Sequence, residues 1–270
     1  MLEQSPLGKQ SSYITTYSPE LLFPIPRTLA RNKIGLKAAL PFTGVDIWNS
    51  YELSWLNAKG KPQIAFAEFH FPHDNTYIVE SKSFKLYLNS FNQTKFATWE
   101  QVHATLVKDL SQASGGLAKV FLFSSEEFKK LPLQEFPGTC LDHLDIETDS
   151  YQISSHFLST QPLEVEETVY SELLKSNCLA TGQPDWGTVL IRYAGKKILH
   201  EGLLKYLISY RNHSGFHEDC VEQIFKDLLT HCQPARLTVY ARYVRRGGLD
   251  INPFRSNFET SPENVRLNRQ

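Results

Sequence analysis

The chain has 270 residues, of which 41% are hydrophobic and 21% charged, a composition typical of a globular protein that buries a core and not of a disordered scaffold. Its formal net charge is −1, so no overall field attracts a nucleic-acid backbone or an anionic membrane, and an anionic ligand requires a local group of cations. The length fits one large domain or two ordinary ones.

The first elements follow an N-terminal segment without periodicity. Residues 1–40 are interrupted by Pro and Ser, and we predict an irregular arm there. Residues 45–56 and 63–71 alternate apolar and polar side chains on either side of a turn at Lys59-Gly60-Lys61-Pro62. This alternation predicts two half-buried strands joined as a hairpin.

Helical spacing of apolar residues follows at 83–91 and 98–110, and 118–123 returns to a strand pattern. The same order of strand, strand, helix, helix and strand recurs in the second half of the chain. Its elements are predicted at 166–175, 187–193, 201–210, 217–231 and 236–244.

Residue matches support an internal repeat. Tyr87 corresponds to Tyr206 at a spacing of 119 residues, and Lys108-Asp109-Leu110 corresponds to Lys226-Asp227-Leu228 at a spacing of 118, which also relates Glu100 to Glu218. We therefore predict an α+β protein with two tandem modules, at 41–150 and 151–270, after the arm at 1–40.

The two modules differ where chemistry is expected. Cys178 lies in the second hairpin turn, and the first module has the plain Lys59-Gly60 turn at the matching position. Conversely, the first module has the segment 79–85 with two lysines, and its counterpart at 198–204 retains neither lysine. This complementary loss predicts one composite site.

Cys178 and Asp185 form the first candidate group. A thiol beside a carboxylic acid provides a nucleophile and a proton donor for attack on an electrophilic carbon. A turn-capping role for Asp185 is an equal alternative on the sequence alone. Cys220 lies on a helix pattern and Cys232 just past it, where a cysteine is usually a small buried apolar residue.

Glu80, His217 and Glu218 form a second group, because a carboxylate matches the flat donor edge of a guanine-like base. The alternative for His217 and Glu218 is ordinary helix capping, which the equivalent Glu100 favours. A third group is cationic and includes Lys82, Lys85, Arg242, Arg245 and Arg246, followed by Gly247-Gly248. Such a group suits a phosphate, although a solvated charged face is its usual explanation.

Several classes of site and location are not supported by the sequence. It contains no G-x-G-x-x-G after a strand, no P-loop and no spacing of metal ligands. It also shows no secretory signal, no run of about 18 apolar residues and no pair of closely spaced cysteines. We therefore expect a cytoplasmic protein without a metal, a membrane segment or a nucleic-acid partner.

Four segments, taken together and in order, carry a specific resemblance. They are Glu80-Ser81-Lys82-Ser83-Phe84-Lys85-Leu86-Tyr87, Cys178 through Gln183-Pro184-Asp185-Trp186, Phe216-His217-Glu218, and Arg246-Gly247-Gly248 followed by Asp250-Ile251-Asn252-Pro253. Over residues 40–260 the chain resembles the NADPH-dependent 7-cyano-7-deazaguanine reductases, the QueF family of queuosine biosynthesis, in its long two-module form.

The resemblance implies two tunnelling-fold (T-fold) modules, each an antiparallel sheet with two helices packed on one face, in a homodimer. It also implies reduction of 7-cyano-7-deazaguanine to 7-aminomethyl-7-deazaguanine by two NADPH through a covalent thioimide. By the same resemblance, Cys178 is the nucleophile and Asp185 the proton donor. The implied substrate-binding residues are Val79, Glu80, Ser81, His217 and Glu218. The implied NADPH-binding residues are Ser81, Lys82, Arg246 and Gly247.

We add Lys85 and Arg245 as further phosphate-binding residues, and Trp186 and Phe216 as walls of a water-poor pocket. Two related enzymes are the main alternatives. A pterin-handling T-fold enzyme would need zinc ligands that the sequence lacks, and an amidine-forming relative would not need Lys82, Arg246 and the glycine pair. A non-catalytic RNA-binding module conflicts with the near-neutral charge.

Overall fold

The computed structural model describes residues 13–37, 39–179 and 181–270. These residues form six α-helices and ten β-strands. The helices are α1 Thr28–Lys33, α2 Ser81–Asn89, α3 Trp99–Ser114, α4 Ser125–Phe128, α5 His200–Ile208 and α6 His217–His231. The strands are β1 Pro24–Pro26, β2 Thr43–Leu56, β3 Pro62–Pro72, β4 Tyr77–Val79, β5 Lys119–Phe123, β6 Thr139–Cys140, β7 Thr160–Asn177, β8 Pro184–Ile198, β9 Arg236–Tyr243 and β10 Leu249–Ser256.

The predicted α+β class and both blocks of strand, strand, helix, helix and strand are confirmed. The segment predicted to be an irregular arm differs in part, because it contains the short elements β1 and α1. Residues 1–12 and residue 38 of that segment lie outside the described part of the chain. The strands β4 and β10 were not predicted.

The chain divides into two compact units. The first comprises residues up to Ala30, Asp46–Pro132 and Arg245–Asp250, and the second comprises Arg31–Val45, Leu133–Val244 and Ile251–Gln270. The modules proposed from the sequence, with limits at 40 and 150, remain a prediction.

In the first unit, β5 pairs with β3 in antiparallel fashion and β3 neighbours β2, and β1 and β4 form a separate two-stranded sheet. Aromatic side chains join the helix α2 to the larger sheet. The Trp48 ring on β2 lies 5.1 Å from Phe84 of α2 and 5.6 Å from Phe71 of β3, between ring centroids. These edge-to-face contacts are of the favourable kind and fix the helix on the sheet.

In the second unit, the strand order is β10, β9, β8, β7 and β6, with antiparallel pairing throughout except for the parallel pair of β6 and β7. One face of this sheet and the apolar faces of α5 and α6 form a single buried cluster. Its members include Val189, Ile191, Val239, Leu207 and Phe225. The apolar residues that recur with helical spacing in α5 and α6 therefore pack against those that alternate along the strands, and together they form one core.

The two helix pairs repeat the same hydrogen bonds. Tyr87 of α2 donates to Asp109 of α3, and Tyr206 of α5 donates to Asp227 of α6, each over 2.8 Å between oxygens. Ser209 bonds the carbonyl of Tyr206 over 2.6 Å, as Ser90 does that of Tyr87. These matched contacts are what an internal repeat predicts.

Across the described residues, no helix combines the length and apolar character that spanning a membrane requires.

Candidate active site

Cys178 occupies the first position after β7, in the turn that leads to β8. Its backbone N–H donates to the carbonyl of Gln183 over 2.9 Å, and the Gly182 N–H donates back to the Cys178 carbonyl over 3.1 Å. Gly182 has φ +65°, a conformation that glycine adopts without a steric penalty. The turn therefore holds Cys178 in place while its thiol remains half-buried.

The end of β7 is also hydrogen-bonded to the segment that precedes α6. The Asn177 N–H donates to the His213 carbonyl over 2.8 Å, and the Gly215 N–H donates to the Asn177 carbonyl over 3.2 Å. These two bonds bring His213 and Gly215 beside the residue that precedes Cys178. His217 and Glu218, the first two residues of α6, follow directly after this bonded segment.

Asp185 lies within β8 and is only 4% exposed. It pairs in register with Ser176 of β7, so both side chains point to the same face of the sheet. An Asp185 Oδ2 atom lies 3.5 Å from His217 Nε2. The carboxylate is thus part of the buried strand and faces an imidazole.

His217 is fixed from two other directions. Its Nδ1 lies 3.3 Å from the carbonyl oxygen of Ile251, to which it can donate. Its ring stacks on Tyr243, with centroids 3.7 Å apart and planes 8° apart. Since Nδ1 faces an acceptor, Nε2 is the nitrogen directed at Asp185.

The remaining cysteines have different surroundings. Burial raises the pKa of the Cys220 thiol to about 12 and that of Cys232 to about 11. Both stay protonated and unreactive at neutral pH. Cys140 is half-buried, as Cys178 is, but it lies on β6 beside Tyr170. Among the four cysteines, Cys178 is the one in a turn adjoining Asp185.

The alternative for His217 and Glu218, helix capping with compensation of the helix dipole, applies to α6 only in part. The N-cap of α6 is Phe216, which makes no side-chain cap bond, but Glu218 lies in the first turn, where a carboxylate interacts favourably with the helix dipole. Glu218 is 2% exposed, whereas Glu100 at the matching position of α3 is exposed to solvent. Burying a carboxylate costs free energy unless the group is paired or hydrogen-bonded. The buried Glu218 therefore needs a compensating interaction, whereas the exposed Glu100 does not.

Glu80, in the first unit, is the N-cap of α2. It is fully buried, and its two oxygens accept backbone N–H groups of Lys82 and Ser83, each over 2.7 Å. Burial raises the pKa of Glu80, and these two hydrogen bonds act against that rise. Val79 precedes it on β4 and is buried, and Ser81 begins the helix and is half-buried.

Two of the predicted phosphate-binding residues in the first unit, Lys85 and Gly247, adjoin a cavity of about 250 Å³. Its wall also includes Gly248, the carboxylate of Glu52 and the amide side chains of Asn89 and Asn92. A Cβ at Gly247 would meet the Lys85 stem at 3.5 Å, and a Cβ at Gly248 would overlap Glu52 at 2.3 Å. Gly247 and Gly248 have φ of +58° and +70°, a left-handed conformation that glycine adopts without a steric penalty, beside an ammonium group and two amides.

This set of donors fits a phosphate or ribose of a dinucleotide. Arg245, which we added from the sequence, lies over the Tyr51 ring with its guanidinium carbon 4.5 Å from the centroid. Arg246 donates its backbone N–H to the Leu249 carbonyl over 2.9 Å. Arg242 differs from the predicted cluster because it is 2% exposed and bonds the Tyr240 hydroxyl.

The predicted residues therefore fall into two groups. Cys178, Asp185, His217 and Glu218 belong to the second unit, where Asp185 and His217 are in contact, whereas Val79, Glu80, Ser81, Lys82, Arg246 and Gly247 belong to the first. Sequence reasoning missed Tyr243 and Gly187, because their contacts depend on the register between β8 and β9. Within the described ranges, no three His, Cys, Asp or Glu side chains group as a metal site.

Known proteins match most of the chain. A family model described as "Nitrile reductase, 7-cyano-7-deazaguanine-reductase N-term" matches residues 13–122, and one described as "QueF-like protein" matches residues 184–262. The NADPH-dependent 7-cyano-7-deazaguanine reductase of Paraburkholderia phymatum is 58% identical over 99% of both chains. Proteins of the same name from Paraburkholderia xenovorans and Cupriavidus necator are 58% and 59% identical over the same share.

Proposed function

The chain belongs to the family of NADPH-dependent 7-cyano-7-deazaguanine reductases, and we propose that it reduces the nitrile of 7-cyano-7-deazaguanine to give 7-aminomethyl-7-deazaguanine. As a member of this family it is an enzyme, an NADPH-dependent oxidoreductase. One observation carries the proposal: the half-buried Cys178 thiol lies in the turn leading to Asp185, whose carboxylate faces His217. A nucleophile and a proton donor are the groups that addition to a nitrile requires.

Covalent capture by Cys178 is the first step of the proposed reaction. The sulfur bonds to the nitrile carbon, one π bond of the C≡N group opens, and Asp185 delivers a proton to the nitrogen. The thiol proton replaces the one that Asp185 gives up, so the sum is addition of S–H across the triple bond to give a thioimide. Because a protonated thioimide accepts hydride better than a nitrile does, capture divides one difficult reduction into easier steps.

The overall reduction adds four electrons and four protons to the nitrile. When bound, NADPH supplies hydride, so two molecules provide all four electrons and two of the four hydrogens. The other two hydrogens arrive as protons, for which Asp185 and His217 are the nearest carriers. Cys178 is regenerated as a thiol when the carbon–sulfur bond breaks and an imine forms.

Exclusion of water follows from the chemistry of that imine, because a released imine hydrolyses to an aldehyde. Trp186 and Phe216 flank the catalytic residues in sequence and are half-buried. The Arg211 guanidinium lies 5.6 Å from the Trp186 ring centroid, a cation–π contact that restrains this ring. We assign both aromatic side chains to the walls of the nitrile pocket.

Recognition of the deazaguanine is assigned to Val79, Glu80, Ser81, His217 and Glu218. A carboxylate accepts two N–H groups from the flat edge of a guanine-like base, and burial makes such bonds stronger. Glu218 suits this role because its carboxylate is buried at the start of α6, beside His217. Glu80 retains acceptor capacity after its two backbone bonds, since a carboxylate has about four lone-pair directions.

NADPH binding is assigned to Ser81, Lys82, Arg246 and Gly247. The cavity beside Gly247, whose wall contains Lys85, two asparagine amides and the carboxylate of Glu52, supports the assignment of Gly247 and extends it to Lys85. The assignment of Ser81, Lys82 and Arg246 follows the family resemblance. Arg245 is added as a second cation near this loop.

We also propose the fold family of the modules, the oligomeric state, the location and the pathway. Each module is assigned the T-fold, which the antiparallel sheets with paired helices support. Assembly as a homodimer, a cytoplasmic location and a role in queuosine biosynthesis for tRNA modification are implied by the family resemblance.

The test is consumption of NADPH in the presence of 7-cyano-7-deazaguanine, followed by absorbance. The wild-type chain is expected to oxidise two NADPH per nitrile. Cys178→Ala is expected to remove this activity, and Cys140→Ala, which alters an equally half-buried thiol, is expected to preserve it. Absence of nitrile-dependent oxidation would overturn the function, and full activity of Cys178→Ala would overturn the covalent route.

A second variant tests the proton donor. Asp185→Asn keeps the size of the side chain but removes the acid, so we expect turnover to slow by about 100- to 10,000-fold. Binding of NADPH, followed by quenching of protein fluorescence, is expected to stay unchanged. An Asp185→Asn enzyme that turns over at the wild-type rate would contradict this role.

A further inference from the structure

The stack of His217 on Tyr243 differs from an ordinary core contact because it constrains a reactive ring. Tyr243 is fully buried at the end of β9, and its ring lies parallel to the imidazole, with planes 8° apart. The bond from His217 Nδ1 to the Ile251 carbonyl sets the rotation of the imidazole, and the stack sets its plane. Together they direct Nε2 at Asp185, 3.5 Å away.

The neighbouring strand, β8, has a glycine opposite the Tyr243 ring. Gly187 on β8 pairs with Tyr243 on β9, and a Cβ at Gly187 would lie 3.2 Å from both Cδ1 and Cε1 of that ring. A side chain at this position would force the ring to shift by a few tenths of an ångström. Gly187 is two residues after Asp185 on β8, so both residues face the same side of the sheet. The residue that contacts the Tyr243 ring and the proposed acid therefore belong to one strand.

The backbone on both sides of this contact is held by polar side chains. The Tyr243 N–H donates to Asn252 Oδ1 over 3.0 Å, and the Tyr243 carbonyl accepts from Gln270 Nε2 over 3.0 Å. Arg269 donates to the Gly187 carbonyl over 3.4 Å and to Thr188 Oγ1 over 3.3 Å. The strand ends carrying Asp185 and Tyr243 are therefore restrained beyond the ordinary ladder bonds.

We propose that Tyr243 is a positioning residue, which holds the plane of the His217 imidazole so that Nε2 meets the Asp185 carboxylate. The proposal rests on the function proposed above, in which Asp185 delivers the proton. Positioning matters because a displacement of about 1 Å costs reactions of this kind about 100-fold in rate. We assign this role to the ring, because the ring is the part of Tyr243 that stacks on the imidazole, whereas the hydroxyl lies near Cys220, Asp185 and Ser176.

Three variants of the full chain separate positioning from packing. Tyr243→Phe keeps the stacked ring, and Tyr243→Leu removes it. Tyr193→Leu is the matched control, because Tyr193 is 1% exposed in the same core, on β8, where its hydroxyl bonds Glu167. Both leucine variants create a comparable defect in packing, and only Tyr243→Leu frees the imidazole.

The readouts are kcat, KM for the nitrile and for NADPH, and the NMR signals of the His217 ring, assigned with His217→Gln. Stacking on an aromatic ring shifts those signals upfield. Tyr243→Phe is expected to keep the shift and a kcat within about 3-fold of wild type. Tyr243→Leu is expected to lose the shift, to lower kcat by about 10- to 100-fold, and to keep the KM for NADPH. The pH profile of kcat is expected to change in Tyr243→Leu and not in Tyr193→Leu.

Gly187→Ala provides a second route if Tyr243→Leu fails to fold, because the added methyl displaces the same ring by a few tenths of an ångström. It is expected to alter the His217 signals and to lower kcat. Wild-type kcat with wild-type signals in folded Tyr243→Leu or Gly187→Ala would overturn the proposal. So would an equal loss of kcat in Tyr193→Leu. If the wild-type chain does not oxidise NADPH with the nitrile, the proposed function fails, and the NMR signals still report on the stack by themselves.

Discussion

The two helix pairs begin differently although their interiors match. In the first unit, Glu80 caps α2 and the Thr98 side chain caps α3 by accepting from the Gln101 N–H. In the second unit, the corresponding positions are Leu199 before α5 and Phe216 before α6, and neither provides a side-chain cap. A missing cap costs about 1 kcal/mol. The second copy thus lacks local stabilisation at the helix start where His217 and Glu218 lie.

The matching glutamates show the same divergence. Glu100 is exposed in the first turn of α3, where hydrogen bonds to its own backbone N–H and to Thr98 lower its pKa. Glu218 occupies the equivalent place on α6 and is 2% exposed. Equivalent positions of the two helix pairs therefore hold an exposed helix-capping glutamate in one unit and a buried glutamate in the other. We expect the chemistry at the helix start that departs from ordinary capping.

Among the changes that compare the two helix pairs, the largest expected effect on kcat/KM comes from substituting the buried glutamate and not the exposed one. Glu218→Gln replaces a charged acceptor with an amide, and loss of a charged hydrogen bond of about 1.5–3 kcal/mol corresponds to about 10- to 150-fold in kcat/KM for the nitrile. Glu100→Gln is expected to leave kcat/KM unchanged. Steady-state kinetics of both variants measure this, and equal losses in the two would contradict the assignment of Glu218.

The shared interior predicts a loss of stability in both units. Tyr87→Phe and Tyr206→Phe each remove a hydrogen bond to a buried aspartate, over 2.8 Å in both cases, and Tyr206→Phe also removes the 2.9 Å bond between the Tyr206 and Tyr210 hydroxyls. We expect each to lower the free energy of unfolding by about 1.5–3 kcal/mol while activity is retained at temperatures where the chain is folded. Urea unfolding provides the measurement. A cost confined to one copy would show that the contacts are not equivalent.

The smallest expected effect is on the pH dependence of stability, through the buried N-cap residue Glu80. Burial raises the pKa of Glu80 above its ordinary value of 4.5, so between 4.5 and the raised value the folded state binds more protons than the unfolded state. The contribution of Glu80 to stability therefore falls as the pH rises through that window. Glu80→Gln is expected to remove this fall in urea unfolding followed from pH 4 upward.

Glu100 provides a control of opposite sign. Because its pKa is lowered in the folded state, its contribution is present above the unfolded value and is lost as the pH falls through the folded one. If Glu80→Gln and Glu100→Gln change the pH dependence in the same direction, the assignment of the two caps is wrong.

The sequence predicted the elements better than the contacts between them. The helix α6 was predicted at its observed limits, His217–His231, because its apolar residues recur with helical spacing. The strand β10 was missed because Asn252 and Pro253 interrupt its pattern, and proline usually argues against a strand. Local periodicity carries no information about such an exception.

The sequence predicted which residues belong to the candidate site, but it did not predict their contacts or their burial. Cys178 and Asp185 were found from their turn and from the family resemblance. The stack of His217 on Tyr243 was not predictable, since it depends on how α6 packs against β9. The burial of Glu218 and the exposure of Glu100 are likewise decided by tertiary packing, because both occupy the same position of a similar helix.

The central claim is that Cys178 forms a covalent bond with the nitrile, and intact-mass spectrometry tests it most directly. Incubation of the wild-type chain with 7-cyano-7-deazaguanine, without NADPH, is expected to raise the mass by one substrate molecule, with peptide mapping placing the addition on Cys178. Cys140→Ala is expected to form the same adduct and Cys178→Ala none. An unchanged wild-type mass, or an adduct that survives in Cys178→Ala, would contradict the account.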